Sequence, residues 1–136
     1  MKIIGIEHVG IAVNDLNESS SFWQNILNIV HTHTEDVKSE GVSTKIFNTG
    51  KGKIELLDSL NNNSPIHKFL QKRGPGVHHI CLEVEDINSA ITELKNHKVD
   101  ILNDSPKIGA EGYKIVFIHP KSTGGVLVEL AEKPTE

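Results

Sequence analysis

Only one cysteine, Cys81, occurs in the 136 residues, so an internal disulfide is excluded and the fold has to be held by its core. No apolar run approaches the roughly 20 residues that a membrane span needs. Positive charge is not in excess either: 14 Lys and Arg stand against 18 Asp and Glu, and a net charge of −4 argues against nucleic acid as a partner. Low-complexity tracts are missing, and the opening Met1-Lys2-Ile3-Ile4-Gly5 has neither the apolar run nor the cleavage site of a secretory signal. These absences predict a cytoplasmic protein with no membrane or nucleic-acid partner. Any anionic ligand must be met by local positive charge or by backbone amides.

What the chain does have is a repeat. The stretch His8-Val9-Gly10-Ile11-Ala12-Val13-Asn14-Asp15 returns in residue class as His79-Ile80-Cys81-Leu82-Glu83-Val84-Glu85-Asp86, and Ile54-Glu55-Leu56 returns as Val128-Glu129-Leu130. One unit copied twice is the simplest reading, with a histidine near the start of each copy and a glutamate near its end. With 37% hydrophobic and 24% charged residues, the chain is long enough for one well-formed core, hence a single domain over 1–136.

Residues 3–13 alternate with the period of a strand, Val9, Ile11 and Val13 on one side and His8, Gly10 and Ala12 on the other. Asp15 stands as a helix N-cap with Glu18 three residues on, and Leu16, Phe22, Trp23, Ile26 and Leu27 recur at helical spacing to about Asn28. Strands are expected at Ile29 to Thr34, Val42 to Asn48 and Lys53 to Ser59, the last two joined by the Gly50-Lys51-Gly52 turn. Ser64 caps and Pro65 opens a linker helix that Gly74-Pro75-Gly76 stops. The second copy reads likewise: a strand from His78 to Val84, Asp86 as N-cap, a helix to about His97, then strands at Asp100 to Leu102, Lys114 to His119 and Val126 to Ala131. The expected fold is therefore α+β. It consists of two tandem βαβββ modules, about 3–60 and 77–132, joined by a linker helix at about 64–73 and forming a curved mixed sheet around a metal-containing cleft.

Two copies related by an approximate two-fold bring His8, Glu55, His79 and Glu129 toward one axis, which is a metal site by composition. Each glutamate sits inside an apolar run, where an unpaired carboxylate is costly to bury, so a positive partner is expected. Cys81 shares the side of His79 but lies roughly 6.6 Å farther along the strand, and reads as a small buried filler. His31, His33, His67, His78 and His97 read as structural or solvent-facing, and His119 as a turn position that offers at most a substrate contact. Two His and two Glu suit Co²⁺, Ni²⁺, Mn²⁺, Zn²⁺ or Mg²⁺ without choosing among them. An octahedral ion would keep two positions for a substrate that chelates through two oxygens, polarising a carbonyl and acidifying the neighbouring C–H, while a carboxylate takes the proton.

Paired βαβββ modules with His, Glu, His and Glu at these places resemble the vicinal oxygen chelate superfamily. Within it, Ile6-Glu7-His8-Val9-Gly10-Ile11-Ala12-Val13, Ser64-Pro65-Ile66 with Phe69-Leu70, Gly76-Val77-His78-His79-Ile80-Cys81, Lys107-Ile108-Gly109-Ala110 and His119-Pro120-Lys121 with Gly124 to Leu130 are similar to the methylmalonyl-CoA epimerases. The resemblance implies a metal-dependent isomerase on a small acyl-CoA substrate, acting as a homodimer. It implies His8, His79 and Glu129 as metal ligands, with Glu55 where some members carry Gln. Epimerisation moves the C2 proton between faces, and Glu129 is the expected base on one of them. Some members place a second glutamate where Thr44 stands here, which leaves Glu55, water or Lys45 for the other face. No glycine-rich phosphate loop exists, so Lys107, Lys114, Lys121 and His119 are the candidate substrate contacts. A glyoxalase I-like lactoylglutathione lyase would share the ligands and the enolate chemistry. A non-enzymatic binding module of this fold would not need all four.

Overall fold

The computed structural model describes residues 1–135. Its strands are β1 (Ile3–Ala12), β2 (Val30–Val37), β3 (Val42–Asn48), β4 (Lys53–Ser59), β5 (Gly76–Val84), β6 (Lys107–Ile108), β7 (Lys114–Ile118) and β8 (Val128–Glu132). Its α-helices are α1 (Leu16–Ser21), α2 (Pro65–Arg73) and α3 (Ile87–Asn96). The fold is α+β, as expected. The chain separates into two compact units, His8–His78 and Met1–Glu7 with His79–Glu136, so that β1 is divided between them.

In the unit His8–His78 the strand order is β2-β3-β4-β1. The second half of β1 runs parallel to β4 with Gly10 opposite Glu55, and β3 runs antiparallel to β4 with Ile46 opposite Glu55. Asp15 caps α1 by accepting from the Glu18 amide at 2.9 Å. The greasy side of β1 does carry the helix: Val13, Phe47 and Leu56 form a buried cluster against which Ile11, Leu16, Trp23, Ile29 and Ile54 pack. Past Ser21 the helix widens into a π turn over Phe22–Ile26 and ends at Asn28, which takes a left-handed φ of 57°. Ser64 caps α2, its hydroxyl accepting from the His67 amide at 3.0 Å.

In the other unit the order is β1-β5-β8-β7-β6, β5 and β8 being parallel with Cys81 opposite Glu129. Asp86 caps α3 through the amides of Asn88 and Ser89. The helix buries Ile87, Ala90, Ile91 and Leu94 against Val84, Val116, Ile118 and Leu130. Asp100 to Leu102, expected as a strand, makes only the single bridge of Ile101 with Ile118. Beyond that bridge the Asn103 side chain takes the ladder's place, donating to the Ile115 carbonyl at 3.1 Å and accepting from the Phe117 amide at 3.0 Å. The strand that does pair along this edge of β7 is β6, two residues long.

Candidate functional site

Alternation along the strands decides where each candidate points. In β4, Ile54 and Leu56 belong to the helix-side cluster, so Glu55 takes the opposite face, flanked by Gly10 on β1 and Ile46 on β3. There its Oε2 lies 2.9 Å from His8 Nδ1, and both side chains are more than nine-tenths buried. In β8 the same alternation sends Val128 and Leu130 to the helix and Glu129 to the other face, flanked by Cys81 on β5 and Phe117 on β7. Its Oε1 lies 3.2 Å from His79 Nε2, again with both groups more than nine-tenths buried. The Phe117 ring stands edge-on to His79 at 5.9 Å and so limits how the imidazole can turn.

Each unit thus holds one buried imidazole–carboxylate pair, which satisfies the need for a partner that the apolar runs imposed on both glutamates. His8, Glu55, His79 and Glu129 all belong to groups of buried side chains whose chemistry could hold a metal ion, as does Glu7. The donor types of each pair, a carboxylate and an imidazole, are ones that such an ion accepts.

A family model described as the Glyoxalase/Bleomycin resistance protein/Dioxygenase superfamily matches residues 7–117. Human mitochondrial methylmalonyl-CoA epimerase is 45% identical over 128 residues, which is 93% of this chain and 73% of the human one. The chain belongs to the methylmalonyl-CoA epimerase family of that superfamily. The crystal structure of methylmalonyl-CoA epimerase from Mycobacterium tuberculosis superposes with a TM-score of 0.94 at 32% identity, over 98% of this chain and 90% of that one. A methylmalonyl-CoA epimerase in complex with methylmalonyl-CoA and NH4+ superposes with a TM-score of 0.92 at 31% identity, over 98% and 97%.

Other positions singled out for an epimerase role fall as follows. Thr44 shares the face of Glu55, buried, with its hydroxyl donating to the Glu35 carbonyl at 3.2 Å. Lys45 turns to the helix side, where its Nζ donates to Ser20 Oγ at 3.0 Å, so its ammonium ties β3 to α1. His119 caps the short turn at Pro120–Ser122, its Nδ1 accepting from the Lys121 amide at 3.0 Å, and Lys121 pairs with Asp100 at 3.3 Å. Lys107 and Lys114 lie exposed on the β6–β7 hairpin. Cys81 is fully buried beside Tyr113, Ile115 and Ala131, the filler it was expected to be.

Sequence reading missed Glu7 and Tyr113. Both are buried, and the Tyr113 hydroxyl donates to Glu7 Oε2 at 3.4 Å. Their separation in sequence hides the pair, and the only clue was an acidic residue inside the strand pattern of β1.

Proposed function

We propose that this chain interconverts the (2R) and (2S) forms of methylmalonyl-CoA, with His8, Glu55, His79 and Glu129 as the ligands of one divalent ion. One observation carries the reading: a buried histidine–glutamate pair occurs once in each copy of the repeat, in a chain whose relatives bear this activity in their names. When bound, the ion polarises the thioester carbonyl and makes the C2 proton easier to remove.

The chain's own part begins with exclusion of water. The four groups lie at most 6% exposed, so a charge that develops on the substrate meets fixed dipoles and not solvent. Glu129 takes the C2 proton from one face, its position fixed by His79 and, through His79, by the ring of Phe117. Glu55 returns a proton to the other face. Thr44 and Lys45 are committed to the Glu35 carbonyl and to Ser20, and neither is assigned this work. Lys107 and Lys114 are assigned the substrate's free carboxylate. The active species is taken to be a cytoplasmic homodimer.

The test is to incubate the metal-loaded protein with one epimer of methylmalonyl-CoA in D₂O and follow C2 by NMR. Entry of deuterium with loss of stereochemical purity supports the proposal. No exchange, together with turnover of the methylglyoxal–glutathione hemithioacetal, would replace it with a lactoylglutathione lyase.

A further inference from the structure

Three hydrogen bonds meet on one half-buried side chain, the amide of Asn103. Its Nδ2 donates to the Ile115 carbonyl at 3.1 Å and to the Ser105 carbonyl at 2.9 Å, and its Oδ1 accepts from the Phe117 amide at 3.0 Å. Two carbonyls on one side and an N–H on the other leave the amide a single orientation, since the reverse would set oxygen against oxygen. The preceding residue completes the hold: the Leu102 amide donates to the Phe117 carbonyl at 2.8 Å. Both main-chain polar groups of Phe117 are thus taken up by Leu102 and Asn103, along the edge of β7 that β6 also uses.

This anchorage falls where β7 meets the site. Phe117 is opposite Glu129 in the register, and it packs against the buried cluster of Cys81, Tyr113, Ile115 and Ala131. Its ring stands edge-on to His79 at 5.9 Å, with an interplanar angle of 82°. A regular ladder would hold such a residue by main chain alone. Here β6 pairs with β7 only through Lys107 and Ile108, and Pro106, with no N–H to give, stands just before them. The Asn103 side chain supplies what the strand does not. Without it Phe117 gains freedom to shift, and the His79 imidazole loses the edge that limits its turning.

We infer that Asn103 is a positioning residue for the His79–Glu129 pair, acting through Phe117. Supporting groups of this kind fix the rotamers of the groups they surround, and a base misplaced by about 1 Å can cost roughly 100-fold in rate. The inference rests on the function proposed above for its effect on turnover, since only that reading makes Glu129 a base. Its effect on the setting of the His79 ring needs neither the reaction nor a metal.

The experiment is ¹H–¹³C NMR of the histidine rings in the metal-free full chain, with the His79 signal assigned by its loss in His79→Gln. Phe117→Leu removes the aromatic ring current on His79 and marks where that signal goes without it. Asn103→Ala is expected to move the His79 signal toward the Phe117→Leu position, while Ser64→Ala, which loses one capping hydrogen bond in the other unit, leaves it in place. Asn103→Asp keeps the acceptor for the Phe117 amide and should hold the signal nearer to the parent's position than to that of Phe117→Leu, a comparison that survives if the alanine variant does not fold. In turnover of the metal-loaded protein, Asn103→Ala should lower kcat for C2 exchange about tenfold or more, with KM within twofold. The loss should vanish in the Phe117→Leu background, because residues that act through one another are not additive. An unmoved His79 signal in Asn103→Ala overturns the inference, as does an aspartate signal at the Phe117→Leu position. Losses that multiply in the double variant also overturn it, since Asn103 would then act by another route. If the parent exchanges no C2 proton of methylmalonyl-CoA but the His79 signal moves as expected, the reaction proposed above falls and the positioning role stands.

Discussion

Glu129 Oε1 lies 3.2 Å from His79 Nε2, in a setting where both side chains are more than nine-tenths buried and strand register puts Phe117 beside the carboxylate. Solvent cannot stand in for a carboxylate so enclosed in the role proposed above. Glu129→Gln is expected to lower C2 deuterium exchange by roughly 10²–10⁴, with the far-UV circular dichroism unchanged; exchange near the parent rate would remove Glu129 from the role.

Glu55 can be divided into its two assignments, because Gln keeps an oxygen donor and loses the ability to carry a proton. Glu55→Gln should retain the divalent ion by elemental analysis yet lose exchange from one of the two epimers more than from the other. Equal retention of both exchange rates would leave Glu55 a ligand only.

Removing the proposed ion takes positive charge away from two buried carboxylates. Treatment with a chelator is therefore expected to abolish exchange and lower Tm. Restoring Co²⁺ to about 100 times its Kd should return about 2.7 kcal/mol of stability and give visible d–d absorption. A Tm indifferent to metal would sink the four-ligand assignment.

Gly41 adopts a left-handed φ of 64°, and a Cβ built on it would stand 2.7 Å from the Cβ of Ser64, the α2 cap. Gly41→Ala should cost about 2–4 kcal/mol in urea unfolding, from left-handed strain plus overpacking. Ser64→Ala should cost about 1 kcal/mol, the loss of a cap. Pairing Gly41→Ala with Ser64→Ala will not relieve the first, because the Cβ remains; pairing it with Ser64→Gly should recover part of the cost.

The carboxyl of Asp86 is held below the usual Asp range chiefly by the Ser89 amide, with help from the Asn88 amide and the charge of Lys114 and against a desolvation effect. A group whose folded pKa is depressed adds stability above its unfolded pKa, and that stability is lost as pH falls through the folded value. Asp86→Asn keeps a capping oxygen and removes the charge. It should flatten the acid side of the Tm-versus-pH curve below about pH 4 and lower Tm on the neutral side, where the ionised carboxylate's added stability is lost.

Much of this architecture can be read from short-range chemistry. The bounds of β3 and β4 follow from alternation and the glycine turn, and Asp15, Ser64 and Asp86 announce their helices because a side-chain oxygen two or three residues before an amide satisfies it directly. The two histidine–glutamate pairs were legible only through the repeat, which singled out four polar residues among many. What stayed hidden depends on distant partners. The amide of Asn103 displaces a strand at Asp100 to Leu102, Lys45 faces Ser20 and not the glutamate, and Glu7 meets Tyr113 across most of the chain. Periodicity carries no information about the partners of Asn103 and Glu7, and for Lys45 it gives the face but not Ser20.

Strand β1 contributes Ile3–Glu7 to one compact unit and the rest of its length to the other. Cleavage near Gly74–Gly76 would therefore not yield two self-sufficient fragments, since the C-terminal piece would leave behind the strand that supplies Glu7 to its Tyr113 and the Lys2 carbonyl to its Glu85 amide. The later unit thus depends on the start of the chain, and only an uncut polypeptide, or fragments that find each other again, can supply it.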